Sequence, residues 1–91
     1  MSIYLVTYDL NKPGQRYNDV YAYIRKYPHE HVGTSAWVIQ SDKTAETIRV
    51  DLQKVTDAND YFYVFRLNGT WNGQGPKSVL DWLLIVGLPV G

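Results

Sequence analysis

The sequence predicts an α+β domain with the ferredoxin-like βαββαβ arrangement, a four-stranded antiparallel sheet with two helices on one face. Three observations support this prediction: strand-like segments at both ends of the domain, two segments between them with apolar residues at helical spacing, and turn residues at the boundaries. We divide the chain into a domain over residues 1–67 and a C-terminal extension over residues 68–91, which we expect to pack on a dimer.

The first strand is predicted over residues 3–10, where β-branched and aromatic residues are frequent. Side chains alternate across a strand, which puts Val6 and Tyr8 on one face and Leu5 on the other. Both faces are largely apolar, so we expect both to be covered. The turn residues of 11–14, which include Pro-Gly, end the strand.

Two helices are predicted from apolar residues that recur at i, i+3, i+4 and i+7. The first spans Arg16 to Tyr27 and ends before Pro28. The second spans residues 44–55, with Thr44 as the expected N-cap and Ser41 or Asp42 as competing caps.

The remaining strands are predicted over 29–32, 35–40 and 60–67, with a tight bend at Gly33-Thr34. The last of them is apolar on both faces until Arg66, which is typical of a central or sandwiched strand. A short final helix is predicted over residues 77–85. The two helices of the domain cover only one face of the sheet. We therefore expect a homodimer to cover the other face, helped by the apolar C-terminal run.

The composition narrows the classes of function. The chain has 91 residues, no cysteine, and 9 basic against 9 acidic residues, so its formal net charge is zero. The length fits one small domain, and the lack of cysteine excludes disulfides, thiol nucleophiles and cysteine-bound zinc. A net charge of zero argues against strong non-specific binding to nucleic acid, which needs many phosphate contacts from Lys and Arg. No basic region precedes the first apolar stretch, and the run 83–90 is shorter than the roughly twenty residues that a bilayer requires, so we expect a cytoplasmic protein with no membrane partner.

Asp9 is the main candidate for chemistry, because it ends an apolar strand directly before a turn. A carboxylate in that position is well placed to bind a divalent cation, although Mg²⁺ would also need substrate phosphates or the matching aspartate of a dimer partner. The alternative is that Asp9 hydrogen-bonds the backbone of the turn over residues 11–14. Lys12 lies in this turn and Arg16 follows it, and both are candidates for phosphate contacts.

His29 and His31 are a weaker candidate. One residue separates them, so they share a strand face, while Glu30 between them points the other way. A metal site or acid–base role is conceivable, but a solvated strand edge explains the pair better. The glycines at 69, 73 and 75 lack the spacing of a phosphate-binding loop and indicate a turn-rich connector.

Taken together, these residues resemble the small CRISPR-associated adaptation protein family, a ferredoxin-like subunit that dimerises. The resemblance spans about residues 3–67 and depends on the segment Tyr-Leu-Val-Thr-Tyr-Asp-Leu ending at Leu10, an arginine at 16, Ser-Ala-Trp from Ser35, Thr-Ala-Glu from Thr44, and an aspartate-led last strand from Asp60.

The resemblance implies a metal-dependent endonuclease in which Asp9 and Asp9 of the partner subunit hold Mg²⁺ across the dimer cleft. Arg16 resembles the family's arginine near the start of the first helix, so we expect Arg16, together with Lys12, to contact phosphate, and Ser35 to orient the substrate. Related virulence-associated ribonuclease toxins and some antitoxins share the fold, so RNA or DNA and a toxin or antitoxin are the expected partners, in a stand-alone or phage-borne prokaryotic protein. The alternative function is a non-catalytic dimeric scaffold, antitoxin or regulator.

Overall fold

A computed structural model of the chain describes residues 1–10 and 17–91. The described elements, in chain order, are β1 (Ser2–Asp9), α1 (Tyr17–Ile24), β2 (His29–Gly33), β3 (Ala36–Ser41), α2 (Ala45–Gln53), β4 (Tyr61–Leu67) and α3 (Lys77–Ile85). The strands form one sheet in the order β2-β3-β1-β4 with every pairing antiparallel. This order confirms the predicted α+β class and is that of a ferredoxin-like fold.

The main core lies between α1, α2 and the first face of the sheet. Because side chains alternate along a strand, Tyr4, Val6 and Tyr8 of β1 all enter this core. The largest fully buried side chains are aliphatic and come from both helices and from the two central strands: Ile24, Ile39, Ile48, Leu52, Val6 and Val20. Burying each of them contributes about 1.5–3 kcal/mol relative to exposure, so this layer stabilises most of the domain.

The first helix ends three residues earlier than predicted. After Ile24 the chain tightens, because the N–H of Lys26 donates to the carbonyl of Tyr23 at 3.2 Å and that of Tyr27 to Ile24 at 3.1 Å. These i to i−3 bonds make a tighter turn, as expected where the residue before Pro28 is restricted.

The second helix begins where the sequence predicts. Thr44 is its N-cap, since the Thr44 Oγ1 accepts the backbone N–H of Thr47 at 3.1 Å. Ser41, a competing candidate, instead accepts the N–H of Lys43 at 3.0 Å in the preceding bend. Asp42 lies in that bend and is exposed.

The prediction that the last strand is central or sandwiched is wrong. In the described sheet β4 is an edge strand that pairs with β1 alone. Its even residues Phe62 and Val64 pack on the main core, whereas Tyr61, Tyr63 and Phe65 are exposed on the opposite face. Aromatic residues on both faces were the reason for the prediction, and sequence alone does not distinguish a second buried face from an exposed aromatic one.

The second face of the sheet, opposite α1 and α2, is covered in part by the C-terminal segment of the same chain. Ile3 of β1 and Val38 of β3 pack there against Val79 and Leu83 of α3 and against Leu88. The sequence predicted that a homodimer, helped by the C-terminal run, would cover this face. In the structure the chain's own extension covers one half of the face, including Leu67 of β4, and the half formed by the preceding part of β4 and the end of β1 stays exposed.

A Schellman turn directs the chain back under α3. The N–H of Leu88 donates to the carbonyl of Leu83 at 3.0 Å, and that of Gly87 donates to Leu84 at 3.1 Å. Gly87 has φ +94°, a left-handed conformation that favours glycine. The turn places Leu88 against Leu83 in the second core, which is the apolar contact that usually accompanies this motif.

Among the described residues, the structure contains no helix that is both long and apolar enough to cross a membrane.

Candidate functional site

The candidate site lies at the end of the sheet where β1 finishes. Asp9 is the last residue of β1, and its Cα partner in β4 is Tyr61, the first residue of that strand. Asp9 is exposed, and it lies on the second face because it alternates with the buried Tyr8. The sequence prediction of a carboxylate at a strand end is therefore confirmed in its position.

Asp9 stands in a shallow concavity of about 240 Å³ lined by Thr7, Tyr8, Asp9, Tyr61 and Tyr63. Thr7 and Tyr63 are the next pair in register on the same face, so two phenol rings and a threonine surround the carboxylate. The carboxylate of Asp9 is open to solvent.

The aromatic row, which we define as Tyr61, Tyr63 and Phe65, extends from this concavity along β4. Their exposed fractions are 66%, 62% and 52%, large values for aromatic side chains on a sheet. The rings of Tyr63 and Phe65 stack with their centroids 6.2 Å apart. The row was not among the candidate residues predicted from the sequence, although the period-two alternation of the strand places the three residues on one face.

Ser35 also lies at this end of the sheet. It belongs to the turn between β2 and β3, and its carbonyl accepts the backbone N–H of Tyr8 at 3.0 Å. The structure thus brings Ser35 beside the residue that precedes Asp9, and Ser35 is half-buried. A role in orienting a substrate stays a prediction.

Lys12 and Arg16, the predicted phosphate contacts, lie outside the described residues, as does the turn over residues 11–14 that Asp9 was expected to bind.

Two buried rings, those of Trp37 and Tyr8, are hydrogen-bonded next to the end of β1. Trp37 of β3 donates its indole N–H to the hydroxyl of Tyr8 at 3.0 Å. Burial raises the pKa of the Tyr8 phenol, so the group stays neutral. The rings of Tyr17 and Tyr21 continue this cluster at centroid distances of 5.9 Å from Tyr8 and 5.7 Å from Trp37 respectively.

The two histidines share a face, as predicted, and both contact Trp37. The His31 ring stacks on the indole with centroids 4.0 Å apart and planes within 7°, and the His29 ring meets it edge-on at 5.5 Å. The Nδ1 of His29 also hydrogen-bonds the carbonyl of Tyr27 at 2.7 Å. The pair lies on β2, an edge strand of the described sheet, and His31 is exposed, in agreement with the solvated-edge interpretation.

A polar network joins α1 to α2 away from the site. Asp51 accepts hydrogen bonds from the Tyr23 hydroxyl and the Lys43 ammonium, each at 2.8 Å. The hydrogen bond from Lys43 and then that from Tyr23 lower the pKa of Asp51. Burial is the main cause that raises the pKa of Tyr23, and hydrogen bonds to Tyr27 and Asp51 add to it. We assign this network to stability, because it lies on the helix side of the sheet.

The sequence resemblance implies a bound Mg²⁺ ion, which needs oxygen ligands from the protein. Within the described residues, no three His, Asp or Glu side chains are grouped closely enough to hold a metal ion. Mg²⁺ commonly uses one or two protein carboxylates and takes its other ligands from water and substrate phosphates. The exposed Asp9 fits that mode, in which one chain supplies one carboxylate.

Comparisons with known proteins identify the family. The model of the family described as CRISPR associated protein Cas2 matches residues 1–74. The match includes Asp9 and the elements from β1 to β4, whereas α3 follows it. No curated protein and no solved structure matches the chain. Because the family model matches most of its length, the chain belongs to the CRISPR-associated Cas2 family.

Proposed function

We propose that the chain is a CRISPR-adaptation protein with Mg²⁺-dependent endoribonuclease activity, which acts as a homodimer with Asp9 as metal ligand. The observation that supports this most directly is the position of Asp9. Its exposed carboxylate ends β1 in the concavity beside Tyr61 and Tyr63, within the part of the chain that the family model matches.

The exposed half of the second face supports the homodimer. The aromatic row offers three large apolar side chains to solvent, and contiguous exposed apolar area of this kind is typical of an interface. A second copy placed on this half, with the strand ends together, would bring Asp9 and Asp9 of the partner subunit into one cleft. The cleft would then contain two carboxylates, whereas the concavity of one chain is lined by that of Asp9 alone.

Each residue of the site has a proposed role. Asp9 would hold Mg²⁺, which when bound supplies a Lewis acid at the scissile phosphate. Tyr61 is beside Asp9 in the register, at the end of the aromatic row, so in the dimer its ring would border the cleft and an unpaired base could stack on it. Arg16 and Lys12 would contact the flanking phosphates, and Ser35 would orient the substrate. Stacking on Tyr61 favours RNA in single-stranded form, since the bases of a duplex are already stacked.

The second candidate function is a non-catalytic dimer that acts as a scaffold, antitoxin or regulator for nucleic acid or protein. The aromatic row favours this candidate independently of Asp9, because an interaction surface needs no metal ligand. Both candidates share the dimer, and cleavage distinguishes them.

The test compares cleavage of end-labelled single-stranded RNA and DNA by the wild type and by Asp9→Asn, in Mg²⁺ and in EDTA. We expect the wild type to cleave RNA in Mg²⁺ only, and Asp9→Asn to fall to the level of the EDTA reaction. Circular dichroism should show that the substitution leaves the fold intact, since Asp9 is exposed.

Asp42→Asn is the matched control. Asp42 is also exposed and follows β3 at the opposite end of the sheet, where Ser41 pairs with Ser2. It should cleave like the wild type. Cleavage that survives both Asp9→Asn and EDTA would refute the metal role of Asp9, and a folded dimer that cleaves neither substrate would favour the second candidate.

A further inference from the structure

A cavity of about 350 Å³ lies between the second face of the sheet and the C-terminal extension. Every strand of the described sheet contributes one aliphatic side chain to its floor: Leu5, Val32, Val38 and Leu67. Val79, Leu80 and Leu83 of α3 form one wall, and the loop over residues 68–76 forms the other. The volume lies within the roughly 300–1,000 Å³ typical of small-molecule sites.

The cavity leaves aliphatic side chains incompletely buried between two layers of the same domain. Leu5 and Leu67 are only half-buried although the extension passes over them. Leu80 of the extension is half-buried as well, and Val32 is 42% exposed. Interiors normally pack without such gaps, and apolar surface that faces a gap loses the contacts that a filled core provides. A ligand that fills the space would restore those contacts.

The lining determines the chemistry of the occupant. None of the residues that line the cavity has a charged side chain. Amide and hydroxyl groups occur only along the loop, at Asn68, Thr70, Asn72 and Gln74. A charged ligand would lose its hydration here without gaining a counter-charge, whereas an uncharged apolar molecule would lose little.

The loop that closes the cavity is held to the end of the chain at Trp71 and Asn72. The backbone N–H and carbonyl of Trp71 and the amide of Asn72 all hydrogen-bond within residues 89–91. The indole N–H of Trp71 donates to the carbonyl of Leu88 at 2.8 Å, which fastens the loop to the end of the chain. A Cβ added at Gly73 or Gly75 would meet no atom within 4 Å, so this stretch does not pack tightly against its surroundings. The enclosure by sheet, helix and loop fits a small molecule better than a polypeptide segment.

From these observations we propose that the cavity is a binding site for an uncharged, mainly apolar small molecule with a hydrogen-bonding group directed at the loop over residues 68–76. The site is separate from Asp9, since Leu5 and Asp9 lie four residues apart on β1 and the two concavities share no lining residue. Its walls include α3, which follows the span matched by the family model.

The test uses the neutral fluorophore N-phenyl-1-naphthylamine, whose emission rises in apolar surroundings. We expect saturable binding to the wild-type chain. The anionic 8-anilinonaphthalene-1-sulfonate has a similar ring system and should bind at least tenfold more weakly. Equal binding of the two probes would overturn the proposal, and so would the absence of saturable binding of the neutral probe.

Substitutions then locate the probe. Leu80→Trp fills the cavity and should weaken binding at least tenfold, whereas Leu84→Trp on the exposed side of α3 should leave it unchanged. Asn68→Trp obstructs the loop side from an exposed position and gives a second variant if Leu80→Trp does not fold. Wild-type binding in a folded variant of either kind would overturn the proposal.

Two alternative explanations are tested with the same probe: that it binds the aromatic row, and that a second copy of the chain fills the cavity. Tyr63 lies in the middle of the aromatic row and does not line the cavity, so loss of binding in Tyr63→Ser would place the probe on the row and overturn the proposal. Probe affinity that falls as the protein concentration rises would indicate that a second copy fills the cavity, which would also overturn it. Unchanged binding in both experiments supports the small-molecule site.

Discussion

Trp37 and Tyr8 form a buried hydrogen bond, in which the indole N–H donates to the phenol oxygen at 3.0 Å. The bond joins β3 to the residue that directly precedes Asp9. The backbone N–H of Tyr8 is held as well, by the carbonyl of Ser35 at 3.0 Å. The exposed carboxylate of the candidate site therefore follows a residue that is fixed through both its side chain and its backbone.

Removing the Tyr8 hydroxyl should destabilise the fold. Tyr8→Phe leaves the buried Trp37 N–H without its acceptor, which costs about 1–3 kcal/mol in the free energy of unfolding. Urea denaturation followed by tryptophan fluorescence measures this change. Tyr63→Phe removes a hydroxyl from an exposed ring and should have almost no effect. Equal stability of Tyr8→Phe and the wild type would contradict the assigned bond.

The Asp51 network predicts a specific dependence of stability on pH. The pKa of Asp51 is lowered in the folded state, chiefly by the hydrogen bond from Lys43. Its contribution to stability is therefore fully present above the unfolded-state pKa of about 4 and is lost as the pH falls through the lower, folded-state value. Asp51→Asn should be less stable than the wild type at pH 7, and the difference should shrink towards pH 2.

Urea denaturation at a series of pH values from 2 to 7 measures that difference. Glu46→Gln is a suitable control, because Glu46 is an exposed carboxylate on the same helix. The control should change the free energy of unfolding at pH 7 by less than Asp51→Asn does. A stability difference between wild type and Asp51→Asn that stays constant over the whole range would show that the charge of Asp51 is not responsible.

The proposed homodimer depends on the aromatic row. Phe65 is the last residue of the aromatic row and the one without a hydroxyl group, and it is 52% exposed in the single chain. Phe65→Ser should convert the dimer into a monomer at micromolar concentration, as measured by sedimentation velocity. Val50→Ser replaces an exposed apolar residue on α2, on the other side of the sheet, and should stay dimeric. A monomeric wild type, or a Phe65→Ser variant as dimeric as the wild type, would contradict this interface.

The packing of α3 can be tested with two adjacent leucines. Leu83 is 8% exposed in the second core, whereas Leu84 is 52% exposed on the outer side of the same helix. Leu83→Ala should lower the free energy of unfolding by about 2 kcal/mol, the lower end for such substitutions, because the cavity beside it already leaves the packing incomplete. Leu84→Ala should change it by less than about 0.5 kcal/mol. Equal effects of the two substitutions would show that α3 does not pack on the sheet through Leu83.

Local patterns in the sequence were sufficient to predict the helices and strands. The final helix is observed over the predicted residues Lys77–Ile85, and Thr44 caps α2 as expected. Both features depend on neighbouring residues, through helical spacing and a hydroxyl near a free N–H. The ferredoxin-like order followed from the sequence of elements, and Asp9 stood out because it ends an apolar strand.

Tertiary structure alone decided which faces of those elements are covered. The apolar residues of β4 predicted a sandwiched strand, yet its place at the sheet edge leaves Tyr61, Tyr63 and Phe65 exposed next to Asp9. The extension was expected to act with a second copy, yet its own Leu83 and Leu88 pack on Ile3 and Val38. Alternation along a strand reports which residues share a face, and this is a local property. What lies against that face depends on contacts between residues far apart in the chain. The sequence therefore determined the helices, the strands and the position of Asp9 at a strand end. Only the tertiary structure determined that the aromatic row is exposed and that the extension encloses a cavity.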